Sequence, residues 1–309
     1  MKLTAVSRPM RDLLRQARRY AAVDATVLIT GETGVGKDAL ARFLHSSGPR
    51  RRDPFVAVDC PALPETLVES ELFGHERGAF TDATIARPGR FELAGHGTVY
   101  LDGVTRLSQA GQGALLRVVE ERQVTRLGGT TTTEMKARII ASSDTDMEEA
   151  VRDGALRADL FHRLSVLPLK LPPLRDRTED ILPLAKRFLA DASERLNRQP
   201  PRIAADAEDA LVRYHWPGNI RELRHILDRV LLAGVGAELD AKSLPIEILE
   251  GSEAYLAPGV SRRPTLEDVE RRYIELTLVH ARGNQTRAAA ILGISRKALW
   301  EKRKRFGLR

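Results

Sequence analysis

Apolar and polar positions follow two rhythms along the chain. Between Thr26 and Lys170 the apolar residues come in short unbroken runs: Val27-Leu28-Ile29, Phe55-Val56-Ala57-Val58, Val99-Tyr100-Leu101, Arg138-Ile139-Ile140-Ala141 and Val166-Leu167-Pro168-Leu169. They alternate with helical spacing, as at 39–45 and 109–120. Continuous runs suit strands buried on both faces, so the alternation predicts a mostly parallel sheet with helices on both sides. After LPPLRDR the strand-like runs stop. Residues 181–197, 205–214 and 220–233 then read as helices, with Pro217 and Gly218 punctuating the approach to the third. The stretch EGSEAYLAPGVSRRP, 250–264, is rich in Gly, Ser and Pro without periodicity and reads as a linker. The expected division is an α/β unit at 1–172, a helical subdomain at 173–249, the linker, and a small all-α unit at 265–309.

Composition narrows the class. The 309 residues are 42% hydrophobic and 29% charged, as in ordinary globular chains. No run reaches the roughly 18 apolar residues of a spanning helix, and the N-terminus lacks a signal peptide's apolar stretch, so a cytoplasmic protein is expected, with no membrane partner. The one cysteine, Cys60, excludes an internal disulfide and suits a small buried position. Charge is concentrated at one end. Residues 262–309 hold 13 Lys and Arg against 5 Asp and Glu, whereas the preceding chain holds 36 against 37. A concentrated positive end points to a nucleic-acid partner, because neutralising phosphates releases counterions.

The segment GETGVGK, Gly31 to Lys37, stands between a predicted strand and a predicted helix, the context that a phosphate-binding loop requires. Its glycines let backbone N–H groups converge on phosphate oxygens, the helix N-terminus adds positive potential, and Lys37 reaches toward the β and γ phosphates. Asp38 replaces the usual Ser or Thr. Asp102, at the end of the run in TVYLD, is placed to bring a carboxylate to a magnesium ion.

The segments GETGVGKDALARFLH, ESELFGHERGAFTDA, GRFELAGHGTVYLD, LRADLFHRL, LPPLRDR and WPGNIREL together resemble the AAA+ domain of bacterial sigma-54-dependent transcription activators, and the likeness extends from about residue 4 to the C-terminus. It implies an α/β fold: an AAA+ P-loop parallel sheet sandwiched by helices, then a helical lid and a C-terminal helix-turn-helix. It also implies ATP and Mg2+ as cofactors and a ring, as a homo-oligomer or mixed with a related activator, that remodels sigma-54 RNA polymerase. No N-terminal receiver or sensor domain is expected, so control is placed in a partner or in expression. Carried over by position, Gly31, Glu32, Thr33, Gly34, Val35, Gly36, Lys37 and Asp38 cradle the phosphates and Asp102 holds the metal. Arg157 and Arg163 resemble arginines that reach a neighbouring subunit's site, where a planar guanidinium suits developing phosphoryl charge. Arg221 resembles the lid arginine that reports nucleotide state, and Phe80 and Thr81 the residues that touch sigma-54.

Four positions depart from the family pattern. Gly103 stands in place of the base glutamate, Asp59 in place of the asparagine that holds it, and Asp144 in place of the asparagine or histidine that senses the γ-phosphate. Loss of a positioned base slows turnover by about 10² to 10⁴, unless Asp59 or Asp144 substitutes. ATP binding with impaired hydrolysis is therefore the leading expectation. A fully active ATPase and a nucleotide-stabilised DNA switch independent of sigma-54 remain as alternatives. Asp82 is the fourth departure, turning GAFTGA into GAFTDA; it adds charge and bulk where glycine leaves the backbone free.

In the terminal unit a long helix precedes a short one at 285–292, a turn at Gly293, and a basic helix from Ser295, the pattern of a helix-turn-helix. It resembles the Fis-type domain and implies double-stranded DNA as a partner. Ser295 suits an N-cap. Thr286, Arg287, Ser295, Arg296, Lys297, Trp300 and Lys304 are the candidate DNA contacts, with Arg287 and Arg296 expected to read guanine or hold phosphate. Leu266, Val269, Tyr273, Leu276 and His280 form a narrow apolar seam suited either to pairing with a second copy or to packing within the unit.

Overall fold

The computed structural model describes residues 3–81, 83–250, 265, 267, 270, 271, 273, 274, 277, 278, 281 and 285–306. The chain divides into two compact units, 1–245 and 246–309.

The strands of the first unit, in chain order, are β1 (Val27–Thr30), β2 (Phe55–Asp59), β3 (Gly74–His75), β4 (Arg87–Pro88), β5 (Thr98–Asp102), β6 (Gln123–Thr125), β7 (Thr132–Glu134), β8 (Arg138–Ser143), β9 (Leu167–Lys170) and, past LPPLRDR where no strand was expected, the short parallel pair β10 (Arg202–Ile203) and β11 (Glu238–Leu239). Five of them form a parallel sheet in the order β2-β5-β8-β1-β9. β8 lies near the centre, and all six of its residues are buried. Its neighbours follow the period-2 rule of a pleated strand. Val27 and Ile29 of β1 face a core built with Leu13 and Leu14 of α1 (Arg8–Ala21) and Leu40 and Leu44 of α2 (Lys37–Ser46). Leu28 faces the opposite core, where Leu101 and Ile139 meet residues of later helices, among them Leu115 and Leu160. Helices therefore cover both faces, as the alternating runs require. Val166 is 53% exposed and outside the sheet, so β9 starts one residue later than its apolar run. β9 is an edge strand, which is where Pro168, lacking an N–H, is tolerated.

The helical part that follows contains the helices Ile181–Arg195, Ala205–Arg213 and Asn219–Leu232. The first two end two and one residues short of their periodic patterns. The third starts and ends one residue earlier than its pattern, and its first residue, Asn219, has an unusual left-handed φ of 54°. Trp216, also left-handed at φ 53°, is fully buried; its indole N–H donates to the Leu211 carbonyl at 2.8 Å, and Tyr214 meets it edge-on.

In the second unit, helical residues between Glu267 and Leu278 precede the helices Gln285–Leu292 and Arg296–Phe306. Ile274, Leu278, Ala281, Ala288, Ala289, Leu299 and Phe306 form its core. Of the expected seam the structure describes Tyr273, which is 56% exposed; Leu266, Val269, Leu276 and His280 lie outside the described residues. The neighbouring Ile274 and Leu278 belong to this unit's core, and Tyr273 does not. The expected linker, apart from Glu250, also lies outside the described residues. Among the described residues no helix is long and apolar enough to cross a membrane.

Buried Asp180 ties the N-terminal helix to the helical part. Its carboxylate accepts the Val6 and Ser7 amides at 2.6 and 2.9 Å and the Ser7 hydroxyl at 2.7 Å, while Ser7 caps α1. Asp180→Ala strands those donors and is expected to lower unfolding free energy by about 2–4 kcal/mol. Urea denaturation measures this, and an unchanged midpoint would show the tie to be dispensable.

Candidate nucleotide-binding site

The loop between β1 and α2 bends through three glycines with positive φ: Gly31 at 151°, Gly34 at 76° and Gly36 at 105°. At Gly34 the requirement is absolute, since an added Cβ would sit 2.3 Å from the Gly218 carbonyl oxygen. Gly36 caps α2 with its backbone alone, which leaves the first-turn N–H groups facing the loop. The Lys37 ammonium lies across this concavity and donates to the carbonyls of Gly31 at 2.7 Å and Glu32 at 3.1 Å. Burial pushes its pKa down; Asp144 and then Asp102 pull it back up, and Arg221 pushes it down again. A partly desolvated ammonium beside converging amides fits a polyphosphate.

Strand order decides what faces that ammonium. Because β5 lies between β2 and β8, Asp59, Asp102 and Asp144 stand side by side along the carboxyl edge of the sheet, where ligands of open α/β sheets bind. Asp59 and Asp102 are register partners. Asp102 accepts the Ser142 hydroxyl at 2.5 Å, and Asp144 accepts the Thr33 hydroxyl at 3.0 Å. Asp38 accepts Arg42 Nε at 3.1 Å on its own helix. Among the described residues no group of three potential ligands is arranged to hold a metal. The carboxylate oxygens of Asp102 fit a hard cation such as Mg2+ whose remaining ligands come from phosphate or water.

Gly103, where a base would stand, is left-handed at φ 75°, and its N–H donates to the Ser142 carbonyl at 3.1 Å. An added Cβ would meet Pro61 Cδ at 3.0 Å and Cγ at 3.1 Å. The missing side chain is thus accompanied by a backbone and a neighbour adapted to its absence. Nearby Cys60 is buried, and burial, with Asp102 and Asp59, pushes its thiol up to about 12.

Three residues that the sequence pattern left unassigned clasp the loop from the helical side. Arg175 holds Glu32 through two bonds, of 2.8 and 2.5 Å. Asn219 donates to Glu32 at 3.0 Å and to the Thr33 carbonyl at 3.1 Å while accepting the Leu174 amide at 2.8 Å. Arg177, buried and lowered by burial to about 10, donates to the Val35 carbonyl at 2.8 Å. Arg175, ahead of Asn219, holds the Glu32 pKa below the usual carboxylate range. The signal lay in LPPLRDR and WPGNIREL: arginines and an asparagine next to prolines and glycine, on segments that return to the loop. Arg221 donates its backbone N–H to the Gly34 carbonyl at 3.3 Å. Together these elements wall a cleft of about 930 Å³ that contains Thr33 to Asp38, Asp59, Asp102, Gly103, Asp144 and Arg221; Arg106 lines it too, a cation the pattern had not singled out.

Arg157 and Arg163 do not line this cleft. Arg157 pairs with Asp159 at 2.9 Å and Arg163 with Glu120 at 2.9 Å, both at the surface. Phe80 is 36% exposed, its ring 5.0 Å from that of His75 at the base of the β3–β4 connection; Thr81 is exposed, and Asp82 lies outside the described residues. In the second unit the Ser295 hydroxyl accepts the Ala298 amide at 3.1 Å, as an N-cap does. Thr286, Arg287, Arg296, Lys297, Trp300 and Lys304 are exposed, and Lys304 Nζ lies 5.5 Å from the Trp300 ring. Lys302 and Arg305 instead bond Glu270 and Glu267.

Comparison with known proteins agrees with this geometry. Residues 3–170 match the sigma-54 interaction domain, 175–258 the AAA+ ATPase lid domain, and 265–306 the Fis family of bacterial regulatory proteins. The chain belongs to the sigma-54-dependent transcription activator family. It is 42% identical to the nitric oxide reductase transcription regulator NorR2 of Cupriavidus necator over 97% of its own length and 62% of that protein's. It is 42% identical to AtoC of Escherichia coli over 97% and 66%, and 40% identical to NtrC of Azospirillum brasilense over 98% and 69%. It therefore spans less than two thirds of the first two relatives. The crystal structure of NtrX from Brucella abortus in complex with ATP superposes with a TM-score of 0.75 at 32% identity, covering 99% of this chain and 70% of that one.

The left-handed backbone at Gly103 makes a stability prediction. Gly103→Ala is expected to cost about 1–2 kcal/mol, a fall in Tm of roughly 2–6 °C. A variant that melts with the parent would show that glycine is not required there.

Proposed function

We propose that this chain is a DNA-binding transcription regulator of the sigma-54 activator type whose AAA+ unit binds ATP and assembles into rings but hydrolyses ATP slowly. The observation that carries the reading is the glycine loop with the Lys37 ammonium inside it, facing Asp102, next to a Gly103 that offers no base. Family membership and the ATP and ADP complexes of NtrX support the nucleotide. In this reading Gly31 to Asp38 hold the phosphates, Lys37 neutralises them, Asp102 holds Mg2+, which shields phosphate charge, and Arg221 carries nucleotide state to the lid. Arg157 and Arg163, outside their own cleft, act on a neighbour's. That placement also suits a mixed ring in which a relative supplies the missing glutamate. Phe80 and Thr81 touch sigma-54. Thr286, Arg287, Ser295, Arg296, Lys297, Trp300 and Lys304 contact double-stranded DNA. The domain limits are 1–172, 173–249, 250–264 and 265–309, and the protein works in the cytoplasm.

A second reading, a nucleotide-stabilised DNA switch independent of sigma-54, is favoured by Asp82 in GAFTDA. The fully active enzyme requires Asp59 or Asp144, which line the cleft, to replace the base.

Phosphate release by the purified chain at saturating Mg·ATP tests the leading reading. The expected rate is at least about 10²-fold below that of a relative that keeps the glutamate. Equal rates would overturn slow hydrolysis and establish a substitute base. For the DNA arm, affinity of the full chain for duplex is expected to fall steeply with salt, and Lys297→Ala combined with Lys304→Ala to reduce the log–log slope by about 2. A slope near zero in the parent protein would refute phosphate contact.

A further inference from the structure

The cleft's carboxylates are unevenly committed. Asp102 is bonded to Ser142, while Asp144, just beyond the end of β8, holds the Thr33 hydroxyl of the phosphate loop itself. Asp144 lines the same cleft as Lys37, and its charge raises the ammonium's pKa more than that of Asp102 does. The Thr33–Asp144 bond and the Gly31 amide bonded to the Ser143 carbonyl at 3.3 Å fasten the loop to the end of β8. Asp59, exposed at the end of β2, adds a further negative charge on the other side of Asp102.

The loop amides and the first turn of α2 serve the inner phosphates of a nucleotide. A third phosphate would add a further negative charge to the cleft that Asp144 lines. Like charges at short range in a partly desolvated cleft repel, and a divalent cation bound between them offsets that repulsion. A neutral asparagine at 144 would keep the hydrogen bond from Thr33 without the charge.

We propose that Asp144 is a specificity-determining residue that makes this cleft prefer a nucleoside diphosphate to a triphosphate. The proposal rests on the nucleotide-binding reading above. It makes the diphosphate form the resting state and leaves triphosphate binding dependent on the divalent cation.

Calorimetric titration of the full chain with ADP and with ATP, each in Mg2+ and in EDTA, tests this. ADP is expected to bind at least tenfold more tightly than ATP in EDTA, with a smaller gap in Mg2+. In Asp144→Asn the ratio of ATP to ADP affinity in EDTA is expected to rise at least fivefold. Thr33→Val, which keeps the carboxylate but loses the hydroxyl, is expected to retain the preference. Equal or tighter ATP binding by the parent protein, or a ratio unmoved by Asp144→Asn, overturns the proposal. Loss of the preference in Thr33→Val to the same extent as in Asp144→Asn overturns the assignment to charge. No binding of either nucleotide overturns the nucleotide reading and, with it, this inference, whereas tight binding without discrimination overturns the inference alone.

Discussion

The carboxylate of Glu32 accepts two bonds from Arg175 and one from Asn219, and the nucleotide cleft depends on that meeting point. A glycine-rich loop has many accessible conformations and little side-chain packing to choose among them. Here the choice is made from outside: Asn219 and Arg177 bond the Thr33 and Val35 carbonyls, and Gly34 lies against Gly218 closely enough to exclude any side chain. The charge-assisted, forked Arg175 contact adds direction as well as strength. Asn219 tolerates its left-handed backbone because both ends of its amide are engaged, which offsets the local cost.

On the opposite side, sheet order supplies the chemistry. A parallel sheet brings every strand's carboxyl end to one edge, so three aspartates distant in sequence line one cleft with Lys37. The same edge lacks a side chain at Gly103, where an added Cβ would press against Pro61 at 3.0 Å. In the proposed reading, binding and splitting of a nucleotide call on different parts of this edge. In that reading the amides and Lys37 serve binding, and the position after Asp102 is where a base would serve attack by water. Their separation lets one persist when the other is altered.

Much of this was legible in the chain. Unbroken apolar runs placed the strands: in β1, β5 and β8 burial on both faces leaves no polar alternation, whereas the edge strands β2 and β9 keep exposed positions within theirs; the Gly31–Lys37 spacing placed the loop through its strand–loop–helix context. The Gln285–Leu292 helix and the Ser295 cap were likewise readable from periodicity and capping chemistry. What escaped depended on tertiary contact. Arg175, Arg177 and Asn219 carry no local mark of their partners, which lie more than 140 positions away. The left-handed backbone at Gly103 was not marked by glycine alone.

In the proposed reading, loop and lid respond to nucleotide as one body because Arg175 and Asn219 hold Glu32. Hydrogen–deuterium exchange of the full chain, with and without ADP, tests it most directly. Protection of 31–38 accompanied by protection of 217–224 is the predicted result; protection of the loop with unchanged exchange in 217–224 would contradict the account.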